Sequence, residues 1–273
     1  MKIAYKDIFI NLNPLRFNHP ENDLILFLHG FSGDSNDWKG IANSIDSNFN
    51  IAAIDLIGHG ETDSPDDLYY YGVDFISGLI EAAIKYLRKD KVILCGYSMG
   101  GRAALNFAIK NKNLIEALIL ESSTAGILNE NERRMRVQKD NELAQFILNH
   151  SISEFVDYWM NLDLFNSQKT LDKIILDEIR NARLKNNPVG LANSLIGFGT
   201  GSMPVLFNEL KILNRKTLLI TGSLDMKFTQ INKLMSELLP RSEHISIEGS
   251  GHNTHLEKPD KFSEVINSFL LKL

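Results

Sequence analysis

Apolar positions along the chain fall into short continuous runs separated by stretches of helical spacing. Residues 2–18 alternate, with Ile8, Ile10 and Leu12 on one side, and predict one or two antiparallel strands at a sheet edge. Leu24-Ile25-Leu26-Phe27-Leu28 is apolar throughout, the pattern of a strand covered on both faces. Residues 38–45 read as a helix, and 50–55 as the next strand. Ile76, Leu79, Ile80, Ala83, Ile84 and Leu87 make one apolar helix face that lies on a sheet. Residues 92–95 and 117–122 are two more buried strands, with a helix from 102 to 108 between them. From residue 24 to about 122 the order is β-α-β-α-β-α-β, which requires a parallel sheet with right-handed crossovers.

The alternation then stops. Residues 124–210 hold helices and no convincing strand, the clearest helices being 142–148, 153–160 and 171–184. Strands resume at 218–222 and 244–247, with helices at 231–239 and 261–271. The expected organisation is an α/β core from residues 1–123 and 211–273, with a mostly parallel central sheet, helices on both faces and a helical cap at 124–210 over the carboxyl ends of the strands. Gly197-Phe198-Gly199-Thr200-Gly201 has the look of a phosphate loop, but it follows no strand and opens no convincing helix, so a dinucleotide site is not expected.

Composition narrows the function. With 273 residues, 44% of them hydrophobic, the chain suffices for one large domain with an insertion or two smaller ones. A net charge of −5 and no long basic run argue against a nucleic-acid partner. No apolar run is long enough to span a bilayer. Residues 1–7 lack the apolar core of a signal peptide. The single cysteine, Cys95, lies in a predicted strand and reads as a small buried hydrophobe. No His/Cys cluster has zinc spacing. These features predict a cytoplasmic enzyme without structural metal, and leave its oligomeric state open.

The chemistry centres on Gly96-Tyr97-Ser98-Met99-Gly100, a G-x-S-x-G sequence between a buried strand and a helix. In that setting it is a nucleophile elbow, a strained turn that exposes the serine hydroxyl beside a helix N-terminus. A serine hydroxyl is weak until a neighbour takes its proton. In the chain order of such folds, Asp225 after the strand at 218–222 and His252 after the last strand complete a triad with Ser98. Glu121, at the end of the preceding strand, is the rival acid. The backbone N–H groups of Met99 and Phe31 are the expected oxyanion donors. His29 and His59 read as loop-ordering residues, and His255 as a surface or supporting one. Arg102 falls in the first helical turn, where the dipole disfavours a cation by about 0.3–1 kcal/mol. Either a bound anion compensates, or the arginine is solvated or paired with Glu121 or an aspartate. Arg133 with Arg136, and Arg180 with Arg183, are three apart and share helix faces. They are surface charges or groups that suit a substrate with several carboxylates.

The chain resembles the α/β-hydrolase fold from end to end, through Leu28-His29-Gly30-Phe31, Asp55-x-x-Gly58-His59-Gly60, the elbow, the Asp225 turn and Gly251-His252. It is most similar to the menaquinone-pathway 2-succinyl-6-hydroxy-2,4-cyclohexadiene-1-carboxylate synthases (MenH type). Gly100-Gly101-Arg102 after the elbow serine, Glu132-Arg133-Arg134-x-Arg136, Phe198-Gly199-Thr200-Gly201-Ser202-x-Pro204, Asp225-x-Lys227-Phe228 and Asn253-x-His255-Leu256-Glu257 carry that resemblance. The stretch 122–126 departs from the family in lacking a proline before its glycine. The resemblance implies that Tyr97 and Arg102 flank the nucleophile at the substrate, and that Arg136, Trp159 and Arg180 line the pocket from the cap. It implies a small tricarboxylate substrate, 2-succinyl-5-enolpyruvyl-6-hydroxy-3-cyclohexene-1-carboxylate, and a lyase step that releases pyruvate and needs no metal or organic cofactor. A serine hydrolase acting on esters or carbon–carbon bonds with the same triad remains the alternative. A ligand-binding receptor that keeps the triad without turnover is a third reading.

Overall fold

The apolar runs become the middle of an eight-stranded sheet in a computed structural model of the chain, which describes residues 1–17 and 19–273; the last position of the 2–18 stretch lies outside the described residues. The strands are β1 (Lys2–Tyr5), β2 (Ile8–Arg16), β3 (Leu24–Leu28), β4 (Asn50–Ile54), β5 (Val92–Tyr97), β6 (Ile115–Glu121), β7 (Lys216–Gly222) and β8 (Ser242–Ile247). Their spatial order is β1-β2-β4-β3-β5-β6-β7-β8. β1 with β2 and β2 with β4 pair antiparallel, and every pair among β3 to β8 is parallel. The predicted antiparallel edge and parallel centre are both present.

Strand side chains alternate between faces, so each central strand feeds two cores. Leu24, Leu26, Leu28 and Leu94 join one cluster with α2 (Val73–Tyr86) and α3 (Met99–Lys110), through Leu79, Ile80 and Phe107. Ile25, Phe27, Ile93 and Cys95 join the other, with α1 (Lys39–Ser44) and α11 (Pro259–Leu270), through Ile41, Phe262 and Ile266. Cys95 is fully buried there, as its strand position implied.

Between β6 and β7 run α4 (Glu130–Asn149), α5 (Ile152–Met160), α6 (Lys173–Arg183), α7 (Pro188–Phe198) and the short α8 (Phe207–Leu210). Ala144, Ile147, Phe155, Val156, Leu191 and Leu195 give α4, α5 and α7 a core of their own. α4 begins twelve residues before the expected 142, because its first half is polar and buries only Asp140 up to that point. The start is set instead by Asn129, whose side chain accepts the N–H groups of Asn131 and Glu132, with Glu130 and Glu132 in the first turn. Gly197–Gly201 lies across the end of α7, with Gly199 as its C-cap, which agrees with rejecting a phosphate loop. The remaining helices are α9 (Met226–Leu238) and α10 (Thr254–Glu257).

Two glycines test how tightly the elbow packs. A Cβ at Gly100 would stand 2.2 Å from the Leu28 carbonyl oxygen, a backbone atom that cannot rotate away. A Cβ at Gly40, inside α1, would meet nothing within 4 Å. Gly100→Ala is therefore expected to destabilise the protein by about 1–3 kcal/mol, and Gly40→Ala to stabilise it by about 0.5–1 kcal/mol. Urea denaturation midpoints check both, and a neutral Gly100→Ala would contradict the close packing.

Candidate active site

β5 ends at Tyr97 and α3 starts at Met99, leaving Ser98 alone to make the turn with φ 48° and ψ −104°. A non-glycine residue held there is strained, and the surroundings have to enforce it. The Ser98 N–H donates to the Glu121 carbonyl at 2.8 Å, which continues the β5–β6 ladder past its end. Gly96 lets the strand touch the backbone of Gly100, and Gly30 leaves room for the Tyr97 ring; a Cβ at Gly30 would stand 2.5 Å from it. The strained backbone is thus held by contacts on both sides.

Asp225 sits in the turn after β7 and serves two purposes. Its Oδ1 accepts the Phe228 N–H at 3.2 Å and so caps α9. Its Oδ2 lies 2.6 Å from Nδ1 of His252. With a carboxylate facing Nδ1, the ring proton is assigned to that nitrogen, and Nε2 is left to accept the Ser98 hydroxyl at 3.0 Å. Asp225 and His252 are both buried. Ser98, His252 and Asp225 therefore form one continuous hydrogen-bonded line. Glu121 is not within it: its carboxylate accepts from Thr254 and from His255 instead.

Met99 is the first residue of α3, so its N–H has no partner within the helix, and the Ser98 side chain does not cap it. The contact of Gly100 with the Leu28 and His29 carbonyls brings this helix end against the loop that carries the Phe31 N–H. Histidines and an aspartate order that loop. His29 Nε2 accepts the Leu56 N–H at 2.9 Å while its Nδ1 faces the Gly30 carbonyl at 2.7 Å. Asp55 accepts from the N–H groups of Ser35 and Glu61 and from the Asn11 amide. Burial, reinforced by neighbouring His29, pushes the His59 imidazole down to about 3, so it stays neutral as a loop-ordering group.

A cavity of about 320 Å3 opens over Ser98 and His252, within the size range of small-molecule sites. Tyr97, Phe31 and Phe228 contribute from the sheet side, and Trp159 and Phe165 from the helices between β6 and β7. Trp159 meets the Phe31 ring edge-on at 5.1 Å, and Phe228 meets His252 at 4.5 Å.

Four basic residues also line the cavity: Arg102, Arg136, Arg183 and Lys227. Arg102 is 8% exposed; its Nη1 donates to the Phe198 carbonyl, and the guanidinium lies 5.0 Å from the Phe198 ring. No carboxylate among the described residues pairs with it, so neither solvation nor a salt bridge to Glu121 accounts for it. Burial and the nearby Arg136 push it down to about 9 despite Asp140. Arg136 is half-exposed and pairs with Asp140 at 2.8 Å.

Arg180 does not line the cavity, contrary to the expectation for it. Its guanidinium donates instead to Asp157 and Ser153 of α5. Ile179, Ala182 and Arg183, spaced three and four apart, form the face that lines the cavity, and Arg180 lies about 100° round the helix from Ile179. Arg183 takes the expected place: it is 8% exposed, packs on Phe165 at 5.3 Å, and its Nη1 is buried without a protein partner. Burial holds its guanidinium below the usual value. The apolar spacing of Ile179 and Ala182 was the signal that singles it out. The surface alternative for His255 also fails, since it is buried, stacked on Trp38 at 4.2 Å and bound to Glu121.

A family model of the alpha/beta hydrolase fold matches residues 23–259, and the chain belongs to that family. A protein of Bacillus subtilis (strain 168), provisionally named a 2-succinyl-6-hydroxy-2,4-cyclohexadiene-1-carboxylate synthase, is 40% identical over 253 residues, 92% of each chain. The synthase of that name from Serratia proteamaculans (strain 568) is 26% identical over 90% of this chain and 92% of its own. The structure of MenH from S. aureus superposes with a TM-score of 0.90 at 35% identity, covering 96% of this chain and 98% of that one. Within the α/β hydrolases, then, the chain belongs to the family of 2-succinyl-6-hydroxy-2,4-cyclohexadiene-1-carboxylate synthases.

The two arginines of α6 make a paired test. Arg183→Ala is expected to raise KM for an anionic substrate by about tenfold or more, the value of a charge-assisted hydrogen bond. Arg180→Ala is expected to leave KM within about twofold, as for other exposed ion pairs. Steady-state kinetics on the two variants decide, and the reverse order would return Arg180 to the site.

Proposed function

We propose that the protein converts 2-succinyl-5-enolpyruvyl-6-hydroxy-3-cyclohexene-1-carboxylate to 2-succinyl-6-hydroxy-2,4-cyclohexadiene-1-carboxylate and pyruvate, a step of menaquinone biosynthesis. One observation carries the reading beyond the fold. Arg102 and Arg183 are buried cations with no carboxylate in ion-pair contact among the described residues; they face the same cavity as Ser98 and His252, where the one lining carboxylate, Asp37, is pushed up toward its neutral form by burial. A buried charge left unpaired is costly, so a site of this kind is built for an anion supplied from outside. The three carboxylates of this substrate answer to Arg102, Arg183 and Arg136.

In the proposed mechanism Ser98, His252 and Asp225 are the catalytic residues. His252 takes the Ser98 proton through Nε2, and Asp225 stabilises the imidazolium that forms. The Ser98 oxygen removes a ring proton. The proton leaves C2, next to the succinyl carbonyl; its C–H electrons form C2=C3, the C3=C4 pair shifts to C4–C5, and the C5–O bond to the enolpyruvyl group breaks. The departing enolate takes a proton from His252 and becomes pyruvate, so the proton lost from the ring is balanced. The N–H groups of Met99 and Phe31 stabilise the enolate-like charge as it develops. Tyr97 and Trp159 shape the cavity, and the helices at 124–210 act as a cap that excludes water. No metal or organic cofactor enters this scheme. Cytoplasmic placement is part of the same proposal; no described helix is long and apolar enough to cross a membrane.

The same triad and N–H pair suit a serine hydrolase, and the cationic cavity is what favours the lyase. Purified protein given the enolpyruvyl substrate is expected to release pyruvate and diene in equal amounts, with Ser98→Ala slower by about 10³-fold or more. No pyruvate from folded wild-type protein, with turnover of a simple ester instead, would move the assignment to the hydrolase.

Arg102 adds a pH dependence. Its guanidinium is depressed to about 9 by burial, and a bound carboxylate favours the charged form. Affinity is therefore full below about 9 and falls as the pH rises through that value and the cation is lost. KM measured from neutral pH upward is expected to climb there. In Arg102→Met, KM should be high at neutral pH already, and this alkaline rise should be absent.

A further inference from the structure

Glu121 is fully buried, and the proton-transfer line from Ser98 to Asp225 does not use it. Both ends of the residue are nevertheless engaged at the site. Its backbone carbonyl accepts the Ser98 N–H at 2.8 Å. Its side chain accepts from the Thr254 hydroxyl at 2.7 Å and the His255 N–H at 3.0 Å on Oε1, and from His255 Nδ1 at 2.6 Å on Oε2. Thr254 and His255 open α10, two and three residues past His252. His255 is in turn held between Trp38, stacked at 4.2 Å, and the edge of Tyr97 at 5.1 Å.

The other ties of the histidine loop lead elsewhere. Gly251 N–H donates to Glu257, within the loop and α10. The Leu224 N–H donates to the Ser250 carbonyl, and Asp225 bonds His252, both on the β7 side. Glu121 relates the loop to β5 and β6, where the nucleophile sits. Burying a polar side chain is costly unless it is hydrogen-bonded, and three partners offset that cost while fixing the geometry. We propose that Glu121 is a positioning residue that sets the separation of Ser98 and His252, by holding the serine through its backbone and the histidine loop through its carboxylate. This rests on reading Ser98 and His252 as the reacting pair.

The test uses two readouts on the full-length protein. One is steady-state pyruvate release. The other is the rate at which diisopropyl fluorophosphate modifies Ser98, which forms the Ser98 O–P bond, breaks P–F and passes the serine proton to His252. The second needs the pair but not the proposed substrate. Misplacement of a reacting group by about 1 Å costs about 10²-fold, so Glu121→Ala is expected to lose about that much in both kcat and labelling rate, with KM changed by less than about threefold. Glu121→Gln can still accept from Thr254 and the His255 N–H, and its amide can donate to the other His255 tautomer. It is expected to recover to within about fivefold of wild type, the value of one modest hydrogen bond. A folded Glu121→Ala protein that labels at the wild-type rate overturns the proposal. So does a Glu121→Gln protein as slow as Glu121→Ala, which would assign the effect to charge and not to position. If Glu121→Ala does not fold, Thr254→Val removes one anchor and is expected to slow labelling about fivefold; a wild-type rate there overturns it equally. Should wild-type protein release no pyruvate, the proposed function fails, and the labelling series still judges Glu121.

Discussion

The contact between the start of α3 and the end of β3 is the constraint on which the site depends. Ser98 occupies a strained backbone conformation, and that strain is sustained because Gly100 rests on the Leu28 and His29 carbonyls while the Ser98 N–H bonds to Glu121. A side chain at position 96 or 100 would separate the pieces. The same approach brings the unpaired N–H of Met99 toward the loop of Phe31, so one packing requirement exposes the hydroxyl and assembles the proposed oxyanion donors together. The two cores behind the sheet supply the rigidity that makes such strain affordable.

Electrostatics around the cavity oppose folding and favour binding. Arg102 is buried with a hydrogen bond and an aromatic contact, and Arg183 with an aromatic contact, neither in ion-pair contact with a carboxylate among the described residues. Asp140 is committed to Arg136, Asp157 to Arg180 and Glu121 to His255. Asp37 is the one carboxylate among the described residues that lines the cavity, and burial pushes it up toward its neutral form, so the cavity keeps its positive character for an anionic ligand. This arrangement distinguishes the site from the apolar pocket that a simple ester would call for.

Legibility in the sequence followed the strength of local pattern. The buried strands and the helix at 73–86 were plain because their apolar periodicity is strong. The expected start of α4 falls twelve residues late because a helix that meets solvent along its first half carries little periodic signal, and its true beginning is written in the Asn129 cap. The elbow, Asp225 and His252 were readable because each follows a strand at the same edge of a parallel sheet. The resemblance implies Arg180 where the cavity takes Arg183, because helix phase, which a family likeness in the cap does not carry, decides which of two arginines faces a cavity. His255 reads from the sequence as either a surface or a supporting residue, because nothing local announces that a buried carboxylate lies 134 positions away in the chain.

The sequence by itself determined the order of strands and helices, the parallel centre of the sheet, and the three groups that meet at its edge, since these follow from period, turn chemistry and the chirality of crossovers. Tertiary structure alone decided the pairing of Glu121 with His255, the lack of an ion-pair partner for Arg102 among the described residues, and the choice of Arg183 as the α6 cation at the cavity. The reason is physical: a charged side chain reaches several ångströms in many directions, and its partner is set by the packing of distant segments and by what else competes for it. Local sequence constrains the backbone, but it does not constrain that competition.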